Sequence, residues 1–259
     1  YVTANLNIGN GMEFMIGKFN APTGLEDNDR NKNVFSSYTP GYIYLTPKNL
    51  IGAKLYYEFN ENWNWDLAIV NNINGAIGGG SAMPSVLTRF GAVWGDEGRE
   101  SFFNLSLGWG PEHGPATGVS HNSHYDWLGQ GWGNFALGEA WDFGWSATFR
   151  MTDAYLPGRN QKAFAGQMYA VWQASDAWSV QLRGSALWEI NPASGVADGI
   201  GASTTDSTWS GFEGLSYNGT LGATYNITDG ANLKLEYRFD YASTAGATAN
   251  NQYHAGVAE

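Results

Sequence analysis

Cysteine is absent from the 259 residues, which excludes a disulfide framework, a thiolate nucleophile and a Cys-ligated zinc site. Long apolar runs are absent too. The longest strictly apolar stretch is Met168 to Trp172, far below the ~20 residues of a membrane-spanning helix. Positive charge is scarce: 13 Lys and Arg stand against 24 Asp and Glu, a formal charge of −11. That balance argues against nucleic acid as a partner, because its binders carry a basic stripe. Charged residues make up only 14% of the chain and aromatics 15%, with 12 Trp, the reverse of a disordered composition. No basic n-region followed by an apolar stretch opens the chain.

What is present is alternation. From Asn232 to Tyr241 one parity reads Leu233, Leu235, Tyr237, Phe239, Tyr241, and the other Asn232, Lys234, Glu236, Arg238, Asp240. Successive side chains of a strand point to opposite faces, so one face is apolar and the other polar. A helix would mix the two sets around its circumference. The same split recurs from Trp178 to Ile190 and from Trp141 to Met151. Thirteen strands are expected, near 1–8, 12–19, 49–60, 63–74, 83–95, 100–110, 125–138, 140–152, 161–174, 177–190, 214–227, 230–242 and 251–259. Facing is not set by the pattern at 83–95, 125–139 and 161–174.

Connections alternate between short and long. Short ones, such as Gly9-Asn10-Gly11 and Thr228-Asp229-Gly230, carry residues that tolerate the positive φ of tight turns. Long ones fall at 20–48, 75–82, 111–124, 153–160, 191–213 and 243–250. In an up-and-down meander every second connection lies at one end, so short turns at one end and long loops at the other describe a transmembrane β-barrel. The apolar face has the right length. Trp178 and Trp188 are ten residues apart, about 33 Å along a strand, or roughly 23 Å across a membrane at a tilt near 45°. Trp63, Trp65, Trp141, Tyr225, Tyr237 and Tyr241 are further candidates for the aromatic girdles.

Residues 1–72 are more specific. Gly11-Met12-Glu13-Phe14-Met15-Ile16-Gly17-Lys18-Phe19, then Pro22-Thr23-Gly24-Leu25-Glu26, Ser36-Ser37-Tyr38-Thr39-Pro40, Trp65-Asp66 and Val70-Asn71-Asn72 resemble the OmpL-like β-barrel porin family. The resemblance covers about the first quarter and is architectural beyond it. It implies a porin of a Gram-negative outer membrane, a diffusion channel. Family members carry strands before the match and end on an aromatic strand, whereas this chain ends His254-Ala255-Gly256-Val257-Ala258-Glu259. The chain is therefore expected to be part of a longer polypeptide.

Other motifs are weaker. Glu26-Asp27-Asn28-Asp29-Arg30-Asn31 crowds oxygen ligands but lacks EF-hand spacing, and is read as a solvated loop. His121-Asn122-Ser123-His124, with Glu112 and His113, could face a divalent metal but sits in an expected external loop. Asp142 with Glu189 could suggest glycoside hydrolysis, yet a lumen carries carboxylates in any case. Gly78-Gly79-Gly80 lacks the Lys-Ser/Thr of a phosphate loop.

The expectation is one all-β domain over residues 1–259, an antiparallel up-and-down transmembrane β-barrel of 16 strands (or 14) when complete. Its function is passive diffusion of small hydrophilic solutes and ions, without catalysis, cofactor or metal. The rivals are an outer-membrane enzyme or adhesin on a filled barrel, and a soluble carbohydrate-binding β-sandwich. Expected partners are outer-membrane lipid and lipopolysaccharide and, by analogy, two further copies in a trimer. The polar faces assign Lys54, Arg89, Arg150, Arg183, Lys234 and Arg238 to the lumen, with Glu58, Asp66, Asp142, Glu189, Glu236 and Asp240. The signs balance, so the acidic excess falls on turns and loops: Asp27, Asp29, Asp96, Glu97, Asp153, Asp198 and Asp206. A weak cation preference follows. Part of loop 20–48, around Asn33 to Thr46, is expected to fold inward.

Overall fold

The structure is a computed structural model that describes residues 1–73, 83–112, 124–152, 161–190, 214–228, 231–244 and 251–258. Its strands are β1 (Val2–Leu6), β2 (Met12–Asn20), β3 (Asn49–Asn60), β4 (Trp63–Val70), β5 (Ser85–Trp94), β6 (Ser101–Glu112) and β7 (His124–Leu137). They continue with β8 (Trp141–Thr152), β9 (Gln161–Gln173), β10 (Trp178–Ile190), β11 (Gly214–Thr228), β12 (Ala231–Thr244) and β13 (Asn251–Ala258). One sheet contains them all in chain order, each antiparallel to the next, with β1 and β13 at its edges. The alternation in the sequence fixes this register. Leu182 pairs with Leu221 and Leu221 with Tyr237, while the neighbouring row runs Arg183, Thr220, Arg238.

The two faces differ sharply. Along β10, exposure alternates residue by residue, with Leu182 60% exposed and Arg183 2%. Leu233, Leu235 and Tyr237 lie exposed on the same outer face as Leu182. Aromatic pairs mark both ends of that outer face. At the short turns, Trp94 packs against Phe135, Trp141 stacks on Trp172, and Trp178 lies 4.7 Å from Tyr225. At the long-loop end, Trp109 stacks on Tyr125, Phe164 meets Trp188, and Tyr217 stacks on Tyr241. Of the expected girdle residues, Tyr237 falls mid-strand beside Leu235 and Leu221, and Trp65 donates its indole N–H to Thr88 Oγ1 at 2.8 Å.

The sheet is curved. Glu26 bonds Arg183 on β10 at 3.2 Å, yet Glu26 and Asp27 line one cavity with Asp66 on β4. In a flat sheet those strands would lie about 29 Å apart, at ~4.8 Å per strand. The inner face is not uniformly polar. Met15, Phe19, Leu50, Ala68, Val70, Leu87 and Leu128 form a buried apolar cluster on it, joined by Ile73. The expected strand 63–74 therefore stops at Val70, because the chain turns back to bury Ile73.

Candidate functional site

The site is built around residues 21–48, the connection between β2 and β3. Its neck is closed by Ala21 N–H donating to Lys48 O and Thr23 Oγ1 donating to Pro47 O. Asp29 caps a single 3-10 turn at Arg30–Lys32. Thr39 caps α1 (Pro40–Tyr44), a one-turn helix with Pro at its first position, where a missing N–H costs nothing. Asp27 and Asn33 exchange hydrogen bonds of 2.7 and 2.8 Å. Tyr38 stacks on Tyr42 at 4.6 Å, and both hydroxyls donate to Asn28. The segment thus satisfies much of its own backbone, as a loop folded against protein must. The helix and the 3-10 turn were not expected from the sequence; five residues are too few for a helical period.

Strands β7 to β12 grip this segment from one side. Arg183 donates to Glu26 at 3.2 Å, to Ser37 O at 2.8 Å, to Ser37 Oγ at 2.9 Å and to Thr220 Oγ1 at 3.3 Å, and its guanidinium lies 4.4 Å from the Phe35 ring centroid. Arg238 donates to Tyr38 O at 2.6 Å and also pairs with Asp240. Lys234 donates to Asn33 O at 2.6 Å. Glu236 accepts from the backbone N–H groups of Ser36 and Ser37. Arg150, paired with Asp126, donates to Leu45 O at 3.1 Å. Gly41 sits so close to β9 that a Cβ there would lie 2.7 Å from that of Ala165. Glu26 also accepts from Thr39 N–H and Oγ1 and from Gln167. Burial pushes its carboxyl above the ordinary 4.5, and Arg183 and these hydrogen bonds pull it back only in part.

On the opposite wall the charges bond one another. Arg89 pairs with Asp66 and donates to Asn104 Oδ1 at 2.8 Å, and Lys54 lies 3.6 Å from Asp66. Between this wall and the segment lies a cavity of about 510 Å³; a second, of about 450 Å³, lies between the segment and β6–β12.

Ten of the twelve residues singled out in the sequence thus fall into two groups: Lys54, Asp66 and Arg89 on one wall; Arg150, Arg183, Lys234, Glu236, Arg238 and Asp240 around the grip, with Glu189 buried on the same face of β10. The other two lie near the short turns. Glu58 is exposed and accepts from Tyr56 at 2.7 Å, and Asp142 pairs with Arg99 at 3.4 Å. Asp142 aligns with Gln181 across β9, which leaves Glu189 eight residues further along β10, about 26 Å away. A glycosidase pair needs at most ~9.5 Å, so these two carboxylates cannot act together. The acidic run 26–31 is not a solvated loop at its start, because Glu26 is buried on Arg183.

Two carboxylates are missing from the lumen residues assigned by alternation. Asp126 is wholly buried against Arg150, but its strand has Trp residues on both parities, Trp127 and Trp132, which blurs its facing. Glu26 lies outside any strand, so alternation says nothing of it. Among the described residues, no group of three or more His, Asp or Glu could hold a metal ion. The His121 to His124 side chains, Gly78 to Gly80, Asp153, Asp198 and Asp206 lie outside the described residues.

This combination of an outer apolar band between aromatic girdles and a charged inner face folded around a loop defines an outer-membrane β-barrel of the channel type. Residues 1–257 match the family described as "Putative beta-barrel porin-2, OmpL-like", and the chain belongs to that family. The match extends well past the first quarter, where the sequence resemblance is best. A comparison with curated proteins gave no match. Among solved structures, the outer membrane channel DcaP of Acinetobacter baumannii is similar at a TM-score of 0.61 and 10% identity, over 95% of this chain and 70% of that one. The outer-membrane-expressed OmpT of Vibrio cholerae is similar at 0.58 and 13%, over 95% and 74%. At such identities the likeness is one of fold. The chain is an outer-membrane porin of the Gram-negative type.

Proposed function

We propose that this protein carries small hydrophilic solutes and ions across the outer membrane by passive diffusion, through a hydrated lumen narrowed by residues 21–48. The observation that carries this reading is the segment itself, folded inside the curved sheet and bonded to the inner faces of β7 to β12, with cavities of about 510 and 450 Å³ on its two sides. A lumen wide enough for diffusion filters by width and by the charges on its wall. Ten of the twelve assigned charges, with Asp126 and Glu26 added, line that route or fix the segment within it. We further propose that three strands (or one) preceding β1 complete a barrel of 16 strands (or 14), that the outer band meets lipid and lipopolysaccharide, and that three copies assemble. No catalytic step is assigned to the site.

Planar-bilayer recording of the full protein tests the reading. A large ohmic step supports diffusion through a lumen. No step in correctly inserted protein would mean that the segment fills the barrel.

A further inference from the structure

We propose that the cavity between β3–β5 and the inward segment is a binding site for small zwitterions, with Lys54 and Arg89 receiving the carboxylate; this rests on the porin reading above. The cavity, about 510 Å³, falls within the usual range for small-molecule sites. On its wall two cations share one carboxylate. Asp66 is only 2% exposed and is already engaged by the Arg89 guanidinium. Lys54 Nζ lies 3.6 Å from Asp66 Oδ1, too far for a hydrogen bond, and 5.9 Å from the Phe19 ring centroid. Lys54 and Arg89 keep 17% and 19% of their side-chain surface exposed, so a solute meets the cations and not the carboxylate beneath them. Arg89 is held in place by Asn104 at 2.8 Å, which fixes its planar fork.

The rest of the lining decides the class of solute. Glu13 and Asp27 border the same cavity, and so does Lys48. Three cations therefore face the carboxylates of Glu13, Asp27 and Asp66; the fourth carboxylate on the lining, Glu26, is already taken by Arg183. A dianion would gain Lys54 and Arg89 but oppose Glu13 and Asp27, and a plain cation would do the reverse. A zwitterion presents each charge to its complement. Tyr42, Tyr56 and Trp132 supply apolar surface for a short carbon chain.

The test uses three four-carbon probes on the full protein in planar bilayers: 4-aminobutyrate, butyrate and butylammonium. Saturable reduction of the ion current by 4-aminobutyrate is expected at concentrations about tenfold below those of the other two, the lower end of the effect of one charge-assisted hydrogen bond. Lys54→Met should weaken that block by a similar factor while leaving an open channel, and Lys54→Arg should restore it. Equal block by butyrate or butylammonium, or an unaltered Lys54→Met, would overturn the zwitterion site. An absence of current in the unaltered protein would instead sink the porin reading, and calorimetric titration with 4-aminobutyrate would still decide whether the site binds.

Discussion

The two walls facing residues 21–48 hold similar side chains and use them differently. On β8 to β12, Arg150, Arg183, Lys234 and Arg238 spend their donors on the segment's carbonyls, at Leu45, Ser37, Asn33 and Tyr38. On β3 to β5, Lys54, Asp66 and Arg89 bond among themselves and border open space. A charged residue on an inner face is therefore not by itself a selectivity residue. One wall holds the segment, and the other presents charge to a cavity.

The largest expected effect breaks the first wall. Arg183→Ala leaves Glu26 buried without its ion pair and removes the donors to Ser37. Truncating one partner of a buried pair costs about 3–5 kcal/mol, more than a one-turn helix and a few backbone bonds return. The segment should detach and become cleavable by trypsin at Arg30, Lys32 or Lys48 in the folded barrel. Continued protection would mean that other contacts hold it.

A test of the outer face comes next. Leu235→Arg, mid-strand among lipid-facing residues, should cost about 2–4 kcal/mol in folding into bilayers. A loss below 1 kcal/mol would remove Leu235 from the membrane band.

The pH dependence sharpens the grip. Because burial raises the Glu26 carboxyl above 4.5, the folded protein binds this proton more readily than the unfolded chain. The contribution of Glu26 to stability therefore rises as pH falls from neutral towards 4.5. Measured by melting in detergent, the wild type should gain on Glu26→Gln over that window. A gain by the variant instead would show that the Arg183 pairing, and not burial, governs Glu26. The smallest effect is expected at Glu58, exposed near a short turn. Glu58→Gln should change stability by less than ~0.5 kcal/mol and leave conductance unaltered.

Strand order, register and outer face were legible because period 2 is a direct consequence of backbone geometry, and it placed Leu182 against Arg183 and Leu235 against Lys234 correctly. The inner face was legible only where it is polar. Ala68, Val70 and Leu87 blur the alternation in β4 and β5, because the return of Ile73 makes that end of the inner wall a small apolar core. The inward fold of loop 20–48 was readable from its length, but its contacts were not. Which four of the six inner-face cations grip the segment depends on pairings some 100 to 200 residues apart in the chain, which no local pattern encodes.

Removing the inward segment tests whether residues 21–48 partition a conducting lumen, as proposed. Single-channel conductance of the full protein should be compared with that of a variant in which residues 27–44 are replaced by a short Gly-Ser linker, both verified as folded by heat-modifiable migration. A clear ohmic step is expected in the unaltered protein and a larger one in the variant. Equal conductance in the two would place the segment outside the solute route and contradict the proposal.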